Sequence, residues 1–176
     1  VHPKKGDAIF ITPGTVHAAE GGILVAEVQE SSDMTFRLYD WGRENNPATA
    51  RKMHLEEAID LINFDKFDPS LYRPASSMDD TKVNNTLVQC PQFTVNKLNL
   101  RDALRISQEQ IGSYIVYICV SGSAAINVPK VPVFDDSKAV AAFGTDAMDI
   151  YAFRKGDTIL VPADMPDFYL VPTAPG

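Results

Sequence analysis

Apolar residues in this chain fall in period-two or short continuous runs: Ala8–Ile11, Ile23–Val28, Phe36–Tyr39, Leu87–Val88, Phe93–Leu100, Tyr114–Val120, Ala124–Val128, Ile150–Phe153, Thr158–Val161 and Phe168–Val171. Gly, Pro, Asn and Asp stand between them. A period of two sends successive side chains to opposite faces of a sheet. Turn residues between such runs predict an antiparallel barrel or sandwich. One segment breaks the period. Over Met53–Ile62 the apolar Leu55, Ala58, Ile59 and Ile62 recur at i, i+3, i+4 and i+7, one face of a short helix, while Glu56, Glu57 and Asp60 point away. Residues 64–86, with Pro69 and Pro74 among many Asp, Asn and Ser, have no periodicity and read as a connection. The pattern therefore predicts β domains at 1–63 and 87–176.

An internal repeat supports this division. Lys5-Gly6-Asp7-Ala8-Ile9-Phe10-Ile11 returns near the end of the chain as Lys155-Gly156-Asp157-Thr158-Ile159-Leu160-Val161. In both copies Gly-Asp makes a turn and alternating apolar residues enter a strand. The copies differ further on, where Gly14 aligns with Asp164 and His17 with Asp167. The second copy is expected to keep the scaffold without the imidazole. The segment 133–148, with Asp135, Asp136 and Lys138 leading into the Ala-rich 139–142, reads as a solvated insert between strands.

Composition narrows the class. The chain has 176 residues, 45% of them hydrophobic and 22% charged, which is ordinary for a globular protein. Its net charge of −7 argues against a general nucleic-acid or anionic-membrane surface, though a local basic patch can still bind a phosphate. No apolar run approaches the roughly 20 residues of a membrane span. Cys90 and Cys119 lie in strand-like runs without motif spacing and read as buried free thiols of a cytoplasmic protein. The first strand begins almost at Val1, so an excised or processed fragment is expected.

Candidate chemistry gathers between Gly6 and Arg43. His17 follows the turn Pro13-Gly14-Thr15, which can fix an imidazole where a ring nitrogen faces a metal. A lone His beside a Gly turn is also commonly a surface or hydrogen-bonded residue. Arg37 alternates with Phe36 and Leu38 and so faces opposite to them. A guanidinium there can clamp a phosphate or offset a developing oxyanion. The plain alternative is a surface arginine paired with Glu27 or Asp33.

These residues also carry a resemblance. Gly6, Gly14 and His17 keep the spacing of the second cupin motif, with Thr12 where that motif has Pro. The run from GTVHA through AEVQESSDMTFRLYDWGR resembles type I mannose-6-phosphate isomerase of the shorter bacterial sort. The resemblance implies a mainly β chain of two cupin-type (jelly-roll) antiparallel barrels, the first incomplete, with a short helix between them. It implies reversible aldose–ketose isomerisation between mannose 6-phosphate and fructose 6-phosphate with one zinc ion. His17 matches a metal ligand, Arg37 the catalytic arginine, and Glu27 and Asp33 active-site carboxylates that bind substrate. The other zinc ligands are expected upstream of Val1, which makes this chain the C-terminal part of the enzyme and inactive alone. Tyr39, Asp40, Trp41 and Arg43 are as readily fold-determining as catalytic. The alternative is a non-catalytic cupin-like carbohydrate-binding or regulatory module, which the single motif histidine and the degenerate second copy favour if Val1 is the true start. A cupin dioxygenase is disfavoured by the missing His-x-His…Glu motif.

Overall fold

Strands dominate the regular structure of the computed structural model, which describes residues 1–32, 34–130 and 147–173. Asp33, and the expected insert up to residue 146, lie outside the described residues. By contacts the chain divides into two units, one of Val1–Asp79 with Asn85–Lys97, the other of Asp80–Asn84 with Leu98–Gly176.

In the first unit β1 (Ala8–Ile9) pairs antiparallel with β2 (Tyr72–Arg73), Ala8 opposite Arg73 and Ile9 opposite Tyr72. Asp7 secures this contact. Its carboxylate accepts from the Tyr72 hydroxyl, the Ala75 amide at 2.7 Å and the Lys4 amide at 2.7 Å. Those bonds, the tyrosine's first, hold its pKa below the usual carboxylate value. The helix predicted over Met53–Ile62 forms as α1 (Leu55–Ile59). Of its apolar face Ala58 is 3% exposed, whereas Leu55 and Ile59 are 54% and 60% exposed. The hairpin of β3 (Asn84–Gln89) and β4 (Thr94–Leu98) follows.

Two predicted strands are absent. Neither Ile23–Val28 nor Phe36–Tyr39 joins a ladder. A short apolar run between turn residues favours an extended chain, but a strand also needs a partner for its backbone groups. Among the described residues Ile23–Val28 has none, and Leu24 stands 97% exposed. Conversely β2, β5 (Leu104–Ile106) and α2 (Gln108–Ile111) arise where the pattern is too short to register.

The second unit holds the core. Its four-stranded antiparallel sheet runs β5–β10–β7–β8, with β7 spanning Ser123–Pro129, β8 Met148–Arg154 and β10 Phe168–Pro172. A second pair joins β6 (Ile115–Ile118) to β9 (Thr158–Val161). Ile126, Val128, Phe153, Val161, Phe168 and Leu170 form the buried cluster, with Tyr117 edge-on to Phe168 at 6.3 Å. The described strands make four separate sheets, so the observed class is mainly β with few helices.

The sequence repeat is also a repeat of geometry. The Asp7 amide donates to Lys4 O at 3.1 Å while Asp7 Oδ2 accepts the Lys4 amide. The Asp157 amide donates to Arg154 O at 2.9 Å while Asp157 Oδ2 accepts the Arg154 amide at 2.9 Å. Gly6 and Gly156 supply the positive φ of both turns, 91° and 96°. A second turn follows in each copy, Thr15 N to Thr12 O and Met165 N to Pro162 O. Where His17 stands in the first copy, Asp167 accepts from Arg105 Nη2 at 3.0 Å and the Gln108 amide at 3.0 Å. That carboxylate ties β5 and α2 to β10's entry.

Candidate functional site

The candidate site lies in the first unit, on irregular chain held by side-chain bonds. Its first piece is the turn before His17. Gly14 has φ 82°, and a Cβ there would meet Leu61 O at 2.6 Å, so only glycine lets the turn lie against the chain leaving α1. The Asn63 amide donates to Gly14 O at 2.9 Å and closes that contact. His17 is exposed, with Nδ1 2.9 Å from Thr15 O. A carbonyl only accepts, so Nδ1 carries the proton and Nε2 the free lone pair. This is the tautomer that suits a metal-ligating histidine, whose other nitrogen commonly donates to a carbonyl. His17 therefore fits as one ligand. Among the described residues no group of three or more His, Cys, Asp and Glu side chains could hold a metal ion. The described residues do not by themselves complete a metal site.

The second piece is organised by Asp40, which is 1% exposed. Asp40-Trp41-Gly42-Arg43 makes a tight turn, with φ 56° at Trp41, φ 76° at Gly42 and the Arg43 amide bonded to Asp40 O at 3.0 Å. Positive φ at both central positions is the signature of a type I′ turn, and a tryptophan there is unusual. The turn folds Arg43 back, so that its Nη2 donates to Asp40 Oδ1 at 2.7 Å. Arg51 donates from Nε to Oδ2 at 2.9 Å and from Nη2 to Oδ1. Arg37 Nε lies 4.0 Å from the same Oδ1. One buried carboxylate thus holds three guanidiniums. The Arg51 hydrogen bond, opposed by burial and reinforced by Arg43, pulls the Asp40 pKa down to about 2. Asp40 in turn raises that of Arg51.

Arg37 is not on an open face. Its side chain is 19% exposed, and its Nη1 donates to Lys52 O at 3.2 Å. Its backbone is clasped by His54: the Arg37 amide donates to His54 Nδ1 at 3.0 Å and the His54 amide donates to Arg37 O at 2.9 Å. Glu27 is exposed and makes no hydrogen bond or ion pair among the described residues. No such bond links His17, Glu27 and Arg37 to one another among those residues. Trp41 and Arg43 also border an open hollow with Ala19, Glu20 and Gly21.

Asp40, Arg51 and His54 were not among the residues the sequence singled out as the site. A signal existed for the first, an acid between Tyr39 and Trp41 on an otherwise apolar stretch. None existed for its pairing with Arg51, since no regular period joins those positions.

Known proteins similar to this chain are mannose-6-phosphate isomerases by name. The chain is 30% identical over 159 residues to a mannose-6-phosphate isomerase of Streptococcus mutans serotype c, covering 90% of this chain and 43% of the relative. It is 28% identical to mannose-6-phosphate isomerase ManA of Bacillus subtilis, over 97% of this chain and 47% of that protein. A putative mannose-6-phosphate isomerase of B. subtilis, YvyI, is 27% identical over 94% of this chain and 46% of its own length. The chain spans less than half the length of these relatives, and the part it matches is the C-terminal part. No family model matches the chain, and no solved structure matches it.

Proposed function

We propose that this chain contributes to an aldose–ketose isomerase that interconverts mannose 6-phosphate and fructose 6-phosphate. The observation that carries this reading is the similarity to proteins named mannose-6-phosphate isomerase over 90% or more of the chain. The repeated turn-and-strand unit supports two related cupin-type barrels as its scaffold. The cofactor in this reading is one zinc ion with His17 Nε2 as one of its ligands.

The chemistry asked of the chain's own groups follows from the reaction. Moving a carbonyl between C1 and C2 transfers a proton between those carbons through an enediol, and negative charge develops on the two oxygens. Arg37 offsets that charge. A guanidinium is always protonated and already held, so it stabilises the intermediate without reorganising. Asp40 keeps Arg37 from standing as an isolated partly buried cation, while Arg43 and Arg51 leave the cluster cationic overall, as suits an anionic sugar phosphate. Glu27 and Asp33 position substrate hydroxyls or relay protons.

The test is turnover of mannose 6-phosphate by the full-length polypeptide that carries this sequence, with zinc supplied. Activity that falls at least about 100-fold in Arg37→Ala, together with bound zinc that falls in His17→Ala, is expected. A folded, zinc-loaded protein with no turnover overturns the reading.

A further inference from the structure

We infer that His54 is a positioning residue for Arg37, fixing the backbone from which the guanidinium reaches the reacting sugar. The inference rests on the reading of Arg37 as the catalytic arginine. Arg37 belongs to no strand, so no ladder sets its φ and ψ. The ladder's place is taken by two bonds to one residue. The Arg37 amide donates to His54 Nδ1 at 3.0 Å, and the His54 amide donates to the Arg37 carbonyl at 2.9 Å. An imidazole nitrogen thus occupies the position a partner strand's carbonyl would hold.

The clasp is itself held. His54 is the N-cap of α1 and its carbonyl accepts the Ala58 amide at 2.9 Å, so the ring's backbone is anchored by the helix. The ring meets Phe36 edge-on, with centroids 5.9 Å apart at 77°. A backbone N–H only donates, so Nδ1 must be unprotonated and the neutral ring's proton sits on Nε2. His54 is therefore occupied as an acceptor and has no lone pair to spare for a metal. Two residues before it, Lys52 O receives Arg37 Nη1 at 3.2 Å. One short stretch, Lys52–His54, grips Arg37 at backbone and side chain together. Nη2 is left without a protein partner among the described residues, and it is the donor offered to substrate.

Such support matters because a charge-stabilising group acts only where the charge develops. A displacement of about 1 Å costs on the order of 100-fold in rate. A group effective mainly in the transition state shows its loss in kcat, with KM little changed.

The experiment compares His54→Asn with His54→Ser in the full-length polypeptide, on mannose 6-phosphate. Both residues cap helices well, so α1 is preserved in each. Asn carries an oxygen as far from the backbone as Nδ1; the serine hydroxyl is one bond shorter and cannot reach the Arg37 amide. We expect His54→Ser to lower kcat about 10- to 100-fold with KM within about threefold, and His54→Asn to retain most of kcat. In the same full-length polypeptide, nitrogen–nitrogen coupling across the Arg37–His54 hydrogen bond reports the clasp directly. Equal kcat in the two variants, or absent coupling, overturns the inference while an inactive Arg37→Ala leaves the isomerase reading standing. Full activity in Arg37→Ala removes that reading itself.

Discussion

Arg51 grips the Asp40 carboxylate with both prongs of its fork, Nε to Oδ2 at 2.9 Å and Nη2 to Oδ1. The two residues lie on opposite sides of a turn and a loop, so this pair closes the segment that carries Arg43, just after Arg37. Lysine cannot reproduce it, since an ammonium is a point charge without the planar fork.

The pair makes the first unit acid-sensitive in a defined window. The Asp40 pKa lies at about 2 in the folded chain against an ordinary 3.8, so the folded state favours the ionised form. The resulting stabilisation is complete above the ordinary value and disappears as pH falls through about 2. A carbon-13 NMR titration of the Asp40 carboxyl should show the low value in the native sequence and an upward move in Arg51→Lys. An unchanged titration would mean that the Arg51 fork is not what lowers the carboxyl's pKa.

Gly14→Ala should destabilise the turn that presents His17. An alanine pays at least about 1 kcal/mol for the left-handed conformation, and its Cβ also runs into Leu61 O, placed 2.6 Å from it. Hydrogen exchange at the Asn63 amide, which bonds to Gly14 O, is the local readout. Protection equal to the native chain's would show that the turn does not depend on glycine.

Leu170→Ala tests the core of the second unit. Leu170 is fully buried on β10, between β5 and β7, where neighbouring strands limit collapse around a void. Truncations of this kind cost about 2–5 kcal/mol. Urea unfolding should show a lower midpoint with an unchanged slope. A loss below about 1 kcal/mol would mean that the sheet closes over the cavity.

Strands were legible in the sequence wherever chain neighbours in the same unit also provided a ladder. Tyr114–Val120 contains β6, Thr158–Val161 is β9 and Phe168–Val171 is all of β10 but its last residue, because a short apolar run and a partner are both present. Ile23–Val28 shows the limit of the same signal. Its apolar run is as clear, but pairing is a property of two segments, and the pattern of one cannot supply the other. The Gly-Asp turns were legible for a local reason: the glycine's positive φ and the carboxylate's reach to an amide three residues back are both written within four residues.

The candidate site divides in the same way. His17 and its turn could be read from the chain because Gly14, Thr15 and His17 interact across a few bonds, and the ring's tautomer follows from Thr15 alone. Arg37 could be named, but the company it keeps could not. The alternatives visible in the sequence were Glu27 and Asp33; the described contacts are with Asp40, Lys52 and His54. Those bonds join residues across an irregular loop, where no fixed period relates position in the chain to position in space. Local geometry was decided by the sequence. Which distant groups meet around Arg37 was decided only by tertiary structure, because a buried carboxylate must collect charge partners from wherever the loop returns them.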